Sequence, residues 1–458
     1  MSPRPPAADV WTVDANEALR LSLVRAKDDK ASLSTREAYE GFHPTFTYPM
    51  FGEDEKIYGY RDLSVDLKFA SGSLATHLSL TSSAMVASTS ARDNVLSTLT
   101  RFLPPPSDDA SCATADDFST RVEADALAFR PHGDCVFSYS RPVSALGKGK
   151  ARDGADDGKA YRISPVLSPE DAETVEFEVY HSTWATPGFR AYHRRMQLFV
   201  LLYIEAGSYI KEDEEGWEFM VLYEKRTRRS DPSIATYHFV GYATLYPFYC
   251  FPERVRMRIS QFLILPPYQQ EGHGSALYTA IYQHVLARPE IAELTVEDPA
   301  EAFEDLRDRN DLKMLLGHPL FMSEAGRTNG VSGVGGEGSA VNGEGRVGGG
   351  RVGRPRRRAR KGQMGPPANR AWVEKWRVEL KLAARQFHRL VEMLMLRHLD
   401  PTDVLGQRAY RLQVKERLYR FNFEMLAQLD LVERQRKLEE TFRTVKGDYE
   451  RILALVTA

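Results

Sequence analysis

The most regular pattern of hydrophobic positions in the chain lies between residues 258 and 308. An apolar, β-branched segment at 259–265 is closed by two prolines, which predicts a buried strand. A glycine-bearing loop follows, and then apolar residues recur at every fourth position, which predicts a helix. These residues are Leu277, Ile281 and Val285. A second short strand at 294–296 precedes two acidic residues, so the predicted order is strand, loop, helix, strand, acid.

Hydrophobic spacing predicts further elements on the N-terminal side of this region. We expect one helix near 15–26, solvent-exposed strands at 62–83, and a helix at 192–204 with apolar residues at every fourth position. Two long strands at 217–223 and 238–251 should pair antiparallel. The predicted fold class is therefore α/β (α+β), with a mixed sheet flanked by helices.

The C-terminal part of the chain is predicted to be all-helical, with helices at 372–398, 407–426 and 431–455. In the last of these, apolar residues repeat at every seventh position, which is typical of helix packing rather than of a cofactor site. The repeating residues are Leu431, Leu438, Val445 and Ile452. We therefore expect a small helical bundle.

A chain of 458 residues with 42% hydrophobic residues can build two or three domains. We place an N-terminal α/β domain at 1–170, a central domain at 171–321, a linker at 322–369 and a helical domain at 370–458. The linker is rich in glycine and cannot bury enough surface to offset its ordering entropy, which predicts disorder. Its basic run at 354–361 is consistent with nuclear import or with a solvated charge run, and less so with a nucleic-acid contact.

The net charge of −2 argues against a protein whose whole surface binds polyanions. Three cysteines, Cys112, Cys135 and Cys250, show no zinc-binding spacing, so we expect free thiols, a reducing compartment and no metal. Apolar runs are too short to cross a bilayer, and the N-terminus lacks a hydrophobic signal core. These features predict a soluble intracellular protein.

The loop at 269–274 has the spacing Gln-x-x-Gly-x-Gly. This is neither the dinucleotide fingerprint nor a P-loop, because no Gly-Lys-Ser/Thr follows. Glycines at 272 and 274 would let a diphosphate approach the amides and the positive dipole end of the following helix. From the residues alone, a simple tight turn between strand and helix is an equally good explanation.

The loop resembles the coenzyme A pyrophosphate loop of the GNAT acetyltransferase superfamily. Its flanks, SQFLIL and LTVEDPAEAFEDLRDRND, are similar to the catalytic subunits of type B histone acetyltransferases. Upstream, the segments FEVYHSTWATPGFRAYHRRMQLF and VGYATLYPFYCFPE are similar to the same family. The resemblance covers most of residues 40–320 and implies a GNAT-type mixed sheet with flanking helices, an N-terminal α/β domain and a C-terminal helical domain.

The resemblance implies acetyl-CoA as the cosubstrate. Residues that match cofactor-contact positions of the family are Phe262, Leu263, Ile264, Gln269, Gln270, Glu271, Gly272, His273, Gly274, Ser275, Ala300 and Arg309. Ala300 stands where the family more often has a polar residue, so a side-chain contact is lost there. Glu271 beside a diphosphate would be repulsive unless it points outward. His273 could act as a base, but within a glycine loop we expect it to contribute its backbone only.

Acetyl transfer to lysine requires a neutral amine, and deprotonating lysine at pH 7 costs roughly 4–5 kcal/mol. A carboxylate can take the proton, directly or through a water. Glu297 follows the second strand, beside the loop, and the resemblance implies that it is the general base, with Asp298 and Glu205 as further carboxylates. On sequence grounds alone, Glu297 could equally cap the next helix. Neighbouring strand residues face opposite ways, so Glu297 and Asp298 should share a role only if the strand has ended.

The substrate implied by the resemblance is the N-terminal tail of free, newly made histone H4, in support of chromatin assembly. Matching substrate-contact positions are Glu53, Asp54, Glu55, Trp217, Tyr246, Pro247 and Phe248. From charge alone, an acidic run such as Glu53 to Glu55 more often forms a solvated surface. The resemblance also implies a WD-repeat histone-binding subunit and a location in nucleus and cytoplasm. Two alternatives stay open: a GNAT enzyme for another amine, and a non-catalytic histone-binding module.

Overall fold

The computed structural model describes residues 10–105, 110–142, 174–228, 230–326 and 362–457. These form two compact units, Met1–Leu306 and Arg307–Ala458. Residues 327–361, which hold most of the predicted linker and its basic run, lie outside the described residues. The predicted domain boundaries stay predictions, because the boundary at 170 also falls outside them.

The first unit contains fourteen strands within the described residues: β1 (Thr12–Asp14), β2 (Leu19–Val24), β3 (Glu40–Phe42), β4 (Lys56–Tyr58), β5 (Tyr60–Arg61), β6 (Ser64–Ala70), β7 (Thr76–Thr81), β8 (Ala84–Met85), β9 (Asp134–Pro142), β10 (Thr174–Thr183), β11 (Glu218–Thr227), β12 (Ala235–Cys250), β13 (Arg254–Ile264) and β14 (Ile291–Val296). Its helices are α1 (Ala15–Ala18), α2 (Lys27–Ala31), α3 (Tyr48–Phe51), α4 (Val95–Thr100), α5 (Ala115–Ala128), α6 (Phe189–Met196), α7 (Leu198–Tyr203), α8 (His273–Ala287) and the start of α9 (Glu301–Gly317).

A six-stranded sheet in the order β14-β13-β12-β11-β10-β9 forms the centre of this unit. Its neighbours are antiparallel except β13 and β14, which are parallel and joined through α8. The predicted antiparallel pair is confirmed as β11 and β12. The sequence-based order of strand, loop, helix and strand is confirmed as β13, α8 and β14, with β13 beginning five residues earlier than predicted.

The strands β13 and β14 stay paired over only part of their length. Pairing begins at Val255 and ends where Ile259 faces Val296, yet β13 continues to Ile264. A bulge at Ser260 interrupts the register with β12, because Leu245 faces Ile259 whereas the next pair joins Thr244 and Gln261. Bulges bend a strand and re-aim its side chains. We call residues 260–264 the open edge of β13, since within the described residues no strand pairs with them on the β14 side.

The helix predicted at 15–26 is wrong for most of its length. Only α1 is helical there, and β2 follows directly, with Leu19, Leu21 and Leu23 buried. A period of two decides the conformation, because it places all three leucines on one face of the sheet β3-β2-β6-β7. The strands expected at 62–83 exist as β6 and β7, but they are not solvent-exposed, since Leu67 and Phe69 are buried.

Two helical predictions need smaller corrections. The single helix expected at 192–204 is a pair, α6 and α7, that meets at Gln197. The polar segment at 107–117, which follows three prolines, predicts a loop, yet α5 begins within it at Ala115. The side chain of Thr114 accepts a hydrogen bond from the amide of Asp117 at 3.1 Å and so caps α5. This Thr-x-x-Asp spacing is a recognisable helix start that could have indicated the helix.

A buried ionic cluster joins β11 to the residue that follows β2. Arg25 lies 2.6 Å from Glu224, and both side chains are almost fully buried. The hydroxyl of Tyr268 accepts from Arg25 at 2.9 Å and donates to Glu224 at 2.8 Å. Burial by itself raises the pKa of Glu224, but the charges of Arg25 and Arg226 outweigh burial and hold that pKa well below its usual range. Tyr268 closes the short 3₁₀ turn Pro266–Tyr268, so this cluster fixes the backbone that leads into the loop before α8.

The second unit is helical in its described part. Its elements are the rest of α9, then α10 (Pro319–Gly326), α11 (Arg370–Glu379), α12 (Ala384–His398), α13 (Val404–Phe421), α14 (Phe423–Ala427) and α15 (Leu431–Thr457). The predicted helices at 372–398 and 407–426 are each two helices. The seven-residue stripe packs only toward its C-terminal end, where Ile452 is buried while Leu431 is 64% exposed. No helix of the described residues is long and apolar enough to cross a membrane.

Candidate active site

Glu297 lies at the point where β13 and β14 separate. Its amide donates to the carbonyl of Ile259 at 2.9 Å, just past the last paired residue, Val296. The strand has ended there, because Asp298 adopts a positive φ of 30°. The alternation that would send Glu297 and Asp298 to opposite faces therefore does not apply. Both residues are exposed, and both stand at the opening where β13 and β14 separate, which we call the gap.

The start of α8 lies against the open edge of β13. Gly272 precedes the helix with a φ of 85°, which a residue with a side chain adopts only at a cost, and it leaves the first turn without a side-chain cap. A Cβ at Gly274 would stand 2.8 Å from Leu306 Cδ1 and 3.8 Å from both Phe262 and Ile264. The uncapped amides and positive dipole end of a fifteen-residue helix thus adjoin the open edge.

The loop before α8 directs its side chains in two ways. Gln269 folds back and donates to the carbonyl of Ile264 at 2.8 Å, whereas Gln270 is exposed. Glu271 does not point outward, the orientation in which it would avoid repelling a diphosphate. It is 8% exposed, and its carboxylate lies 3.5 Å from Nε2 of His273. The buried imidazole of His273 thus holds the carboxylate of Glu271, whose charge would repel a diphosphate.

His273 contributes more than its backbone, contrary to the sequence-based expectation. Its imidazole is fully buried, with Nδ1 2.6 Å from the hydroxyl of Tyr139 and the ring centre 4.4 Å from that of Phe177. Burial lowers the pKa of His273, against the charge of Glu271. The side chain therefore anchors the first turn of α8 to β9 and β10, which holds the glycines of the loop in place.

Three aromatic side chains lead across the sheet to the gap, and we call Trp217, Tyr246 and Phe248 the aromatic row. Ring centres are 4.8 Å apart between the first two and 5.0 Å apart between the last two. The guanidinium of Arg258 lies 4.0 Å from the ring centre of Phe248, and its Nη1 lies 3.5 Å from Oε1 of Glu297. A continuous line of contacts therefore joins the aromatic row to the carboxylate. Pro247 lies between two members of the row on β12.

Arg258 is a site residue that the sequence interpretation missed. It lies directly opposite Tyr246 in the register of β12 and β13. Arg254, Arg256 and Arg258 alternate along β13, so the cations share one face of the strand. That period of two was visible in the sequence and could have indicated a basic residue beside the base.

Other predicted catalytic and cofactor residues lie in the turn after α7 and at or on α9. Glu205 is exposed in the turn after α7. This turn reaches β13 just beyond the bulge, where Gln261 donates to the carbonyl of Ser208 at 2.8 Å. Ala300 starts α9, since its carbonyl accepts from the amides of residues 303 and 304. Arg309 lies on α9 and belongs to the second unit.

The predicted acidic substrate contacts differ in what their carboxylates do. Glu53 and Asp54 are exposed, whereas Glu55 is engaged inside the first unit. Its carboxylate accepts from the amide of Thr47 at 2.6 Å and from the side chain of Asn16 at 2.9 Å. Glu55 therefore caps α3 and shapes this turn, which leaves its two neighbours as the charges that face solvent.

Comparison with known proteins finds relatives that match most of the chain. The family model "Histone acetyl transferase HAT1 N-terminus" matches residues 11–205, and "Fungal HAT1, C-terminal" matches 358–400. The protein named histone acetyltransferase type B catalytic subunit from Cryptococcus neoformans is 45% identical over 454 residues, which are 97% of this chain and 98% of that protein. The proteins of that name from Mycosarcoma maydis (44%; 89% and 82% covered) and Pyricularia oryzae (32%; 98% and 92% covered) also match.

The chain belongs to the type B histone acetyltransferase family. The predicted resemblance to this family and the prediction of an acetyltransferase enzyme are thereby confirmed. The predicted α/β fold class, with a mixed sheet, flanking helices and a helical C-terminal part, is confirmed by the described residues. A solved aminoglycoside acetyltransferase from a soil metagenome aligns with 38% of this chain and with 97% of its own length. Its identity of 13% and TM-score of 0.21 are too low to support a conclusion.

The residues of this site fit acetyl-CoA, the cosubstrate that the resemblance implies. Leu306 packs closely against Gly274, where a Cβ would stand 2.8 Å from its Cδ1, and the amides of the first turn of α8, which have no side-chain cap, are suited to receive a diphosphate. The open edge of β13 offers main-chain groups that no strand of the described residues occupies on that side. Acetyl-CoA supplies an activated acyl thioester when bound, and this chain supplies the cradle beside a carboxylate.

Proposed function

We propose that this type B family member transfers an acetyl group from acetyl-CoA to lysine side chains in the N-terminal tail of free, newly made histone H4. The observation that carries the proposal is the position of Glu297. Its carboxylate closes the line of contacts from the aromatic row and stands at the gap between β13 and β14. A lysine that crosses the row would bring its amine to this carboxylate at the side of the open edge.

Glu297 acts as general base in the proposed mechanism. It accepts the proton of the incoming ammonium, directly or through one water, and so offsets the roughly 4–5 kcal/mol that deprotonation costs at neutral pH. The neutral amine would then attack the carbonyl carbon. The C–N bond forms, the C–S bond breaks, and CoA leaves as its thiol with the proton that the nitrogen gives up. Backbone amides of the open edge, at Phe262 to Ile264, are suited to donate to the carbonyl oxygen as its charge develops. Asp298 and Glu205 are further carboxylates that can pass the proton to solvent.

The substrate end of the proposal rests on chemistry that suits a basic tail. Trp217, Tyr246 and Phe248 present faces on which the aliphatic stems of lysine and arginine can lie. Glu53 and Asp54 are exposed carboxylates that can attract the same tail. By family, we further propose a WD-repeat histone-binding subunit as partner, a location in nucleus and cytoplasm, and a role in chromatin assembly.

One assay tests the substrate and the base together. The full chain is given acetyl-CoA and, in parallel, free histones, assembled nucleosomes, a histone H4 tail peptide and a polyamine, and products are read by mass spectrometry. We expect acetylation of free histone H4 and its tail peptide, with little on nucleosomes. Preferred turnover of the polyamine would instead identify a GNAT enzyme for another amine, and binding without turnover would identify a histone-binding module.

The base is tested by Glu297→Gln, with Glu293→Gln as the matched control. Both residues lie on or just after β14, and each forms an ion pair with an arginine of β13. We expect the first variant to lose a factor of about 10²–10⁴ in kcat, because it lacks proton transfer. The control should stay within a few-fold of wild type. Equal rates for wild type and Glu297→Gln at neutral pH would remove Glu297 from the mechanism.

A further inference from the structure

A second cluster of chemically competent side chains lies on β10, β11 and α8, apart from the gap. Nε2 of His181 is 2.9 Å from Oε2 of Glu218, and Nε2 of His284 is 3.5 Å from the same oxygen. One ligand atom from each residue lies within 4.8 Å of the other two. The two imidazole rings face each other, with centres 4.6 Å apart. Two histidines thus converge on a single carboxylate.

These separations suit a divalent transition metal. A tetrahedral zinc ion with bonds of about 2.0–2.1 Å places its ligand atoms roughly 3.3–3.4 Å apart. The two measured distances lie on either side of that value, so a small adjustment suffices. Two imidazoles and one carboxylate are a ligand set that zinc accepts, whereas calcium and magnesium prefer oxygen ligands alone.

Partial exposure of the cluster leaves access for an ion and a fourth ligand. The side chains of His181, Glu218 and His284 are 20%, 11% and 18% exposed. Such burial restricts their motion without sealing them from solvent. A water molecule can therefore complete the coordination, as in zinc sites with three protein ligands.

Arg288 is the group that competes for the carboxylate. Its Nη1 lies 2.8 Å and 2.7 Å from the two oxygens of Glu218, and 3.3 Å from Nε2 of His284, so it also competes for one of the imidazoles. The same guanidinium has a second carboxylate, since its Nε lies 2.7 Å from Oε1 of Glu290. Arg288 can therefore remain held when a metal takes one oxygen of Glu218, and it can still donate to the other oxygen from outside the coordination shell.

We propose that His181, Glu218 and His284 form a zinc-binding site of this protein. The site ties together two neighbouring strands and the C-terminal part of α8, the helix whose opposite end carries the predicted cofactor loop. The three ligands lie far apart in the sequence, so they form none of the short motifs by which a zinc site can be recognised from sequence. Because the metal binds the folded chain, we expect it to raise the Tm.

Direct binding tests the proposal. The full wild-type chain, stripped of metal and kept reduced, is titrated with Zn²⁺ at a pH of about 7.5, above the ordinary histidine pKa of about 6.5. We expect one ion per chain and a higher Tm. Titration with Co²⁺ should produce a d–d spectrum without a thiolate charge-transfer band, since no cysteine belongs to the cluster.

Four variants separate a metal site from an ordinary network of ion pairs. His284→Gln and His181→Gln each remove a ligand and should weaken Zn²⁺ binding by at least about tenfold. His388→Gln changes an exposed histidine outside the cluster and should bind like wild type. Arg288→Met removes a competing cation but no ligand, so it should bind at least as tightly as wild type, with circular dichroism confirming that every variant is folded.

Two results would overturn the proposal. One is a folded wild-type chain that binds no Zn²⁺ under these conditions. The other is loss of binding in Arg288→Met to the same extent as in His284→Gln, which would mean that the cluster responds to broken ion pairs rather than to missing ligands. Neither result depends on acetyl transfer, so the proposed function is tested separately.

Discussion

The guanidinium of Arg258 lies 3.5 Å from the carboxylate of Glu297, and the same group covers the ring of Phe248 at 4.0 Å. One cation therefore stands between the aromatic row and the proposed base. It holds the carboxylate toward the gap, on the side from which a lysine would arrive. Arg258 is accordingly a positioning residue, which acts on the reaction through Glu297.

Arg258→Met should lower kcat/KM for a histone H4 tail peptide by about tenfold while changing stability little. Both side chains are substantially exposed, 33% and 46%, and an exposed ion pair contributes only about 0–1 kcal/mol. Steady-state kinetics and chemical denaturation measure the two quantities. Arg256→Met is the control, because it breaks the neighbouring pair with Glu293, at 2.6 Å, and does not touch Glu297. If both variants lose the same activity, the arginine at 258 has no special role.

Gly274→Ala should raise the KM for acetyl-CoA by about tenfold or more. The new Cβ would stand 2.8 Å from the tip of Leu306, so either Leu306 or the first turn of α8, whose amides would receive the diphosphate, must shift. Gly447→Ala is the matched control, since this glycine also lies within a helix but its Cβ would meet nothing within 4 Å. We expect the control to stabilise the protein by about 0.5–1 kcal/mol through helix propensity and to leave KM unchanged. An unchanged KM in Gly274→Ala would place the diphosphate elsewhere.

The sequence predicted the parts of the site that depend on local chemistry. The strand, loop and helix around Gly272 and Gly274 were recognisable because glycine, proline and apolar spacing act over a few residues. The separation of β13 from β14 was not, because it depends on a bulge at Ser260 and on where Ile259 stops pairing. Register between strands is a property of distant parts of the chain.

Side chains that face inward were also beyond the sequence interpretation. The loop composition did not show that His273 would anchor to Tyr139, 134 positions away, or that Glu271 would turn toward this histidine. In the same way, Glu55 lies within an acidic run that suggests a solvated face, yet it caps α3. Tertiary contacts decided each of these positions.

Arg25→Met should destabilise the protein by about 3–5 kcal/mol. The variant removes one of the two guanidinium groups that pair with the buried carboxylate of Glu224 and leaves only Arg226, and removing one partner of a buried ion pair is costly. Chemical denaturation of the full chain measures the loss. Lys30→Met breaks an exposed pair with Glu40, whose side chains are 59% and 45% exposed, and should cost less than about 1 kcal/mol. A loss in Arg25→Met no larger than in this control would mean that the cluster does not hold the turn at Tyr268.

His193→Phe should reduce the loss of unfolding free energy that occurs as the pH falls from neutral to acidic. His193 is fully buried against Trp184 and Phe219, and neither of its ring nitrogens has a hydrogen-bond partner among the described residues. Burial lowers its pKa to about 3, whereas the unfolded chain binds the proton at about 6.5. Protonation therefore favours the unfolded state, and stability falls as the pH drops from 6.5 toward 3.

At pH 5, about 1.5 pKa units below the unfolded value, this penalty is about 2 kcal/mol at about 1.4 kcal/mol per unit. Phenylalanine removes the penalty but can add a packing cost, which is the same at every pH. The free energy of unfolding of wild type and variant should therefore be compared at pH 8 and pH 5. We expect the variant to gain about 2 kcal/mol on wild type between the two values. Parallel curves for the two proteins would show that His193 carries its proton in the folded state and is not held neutral by burial.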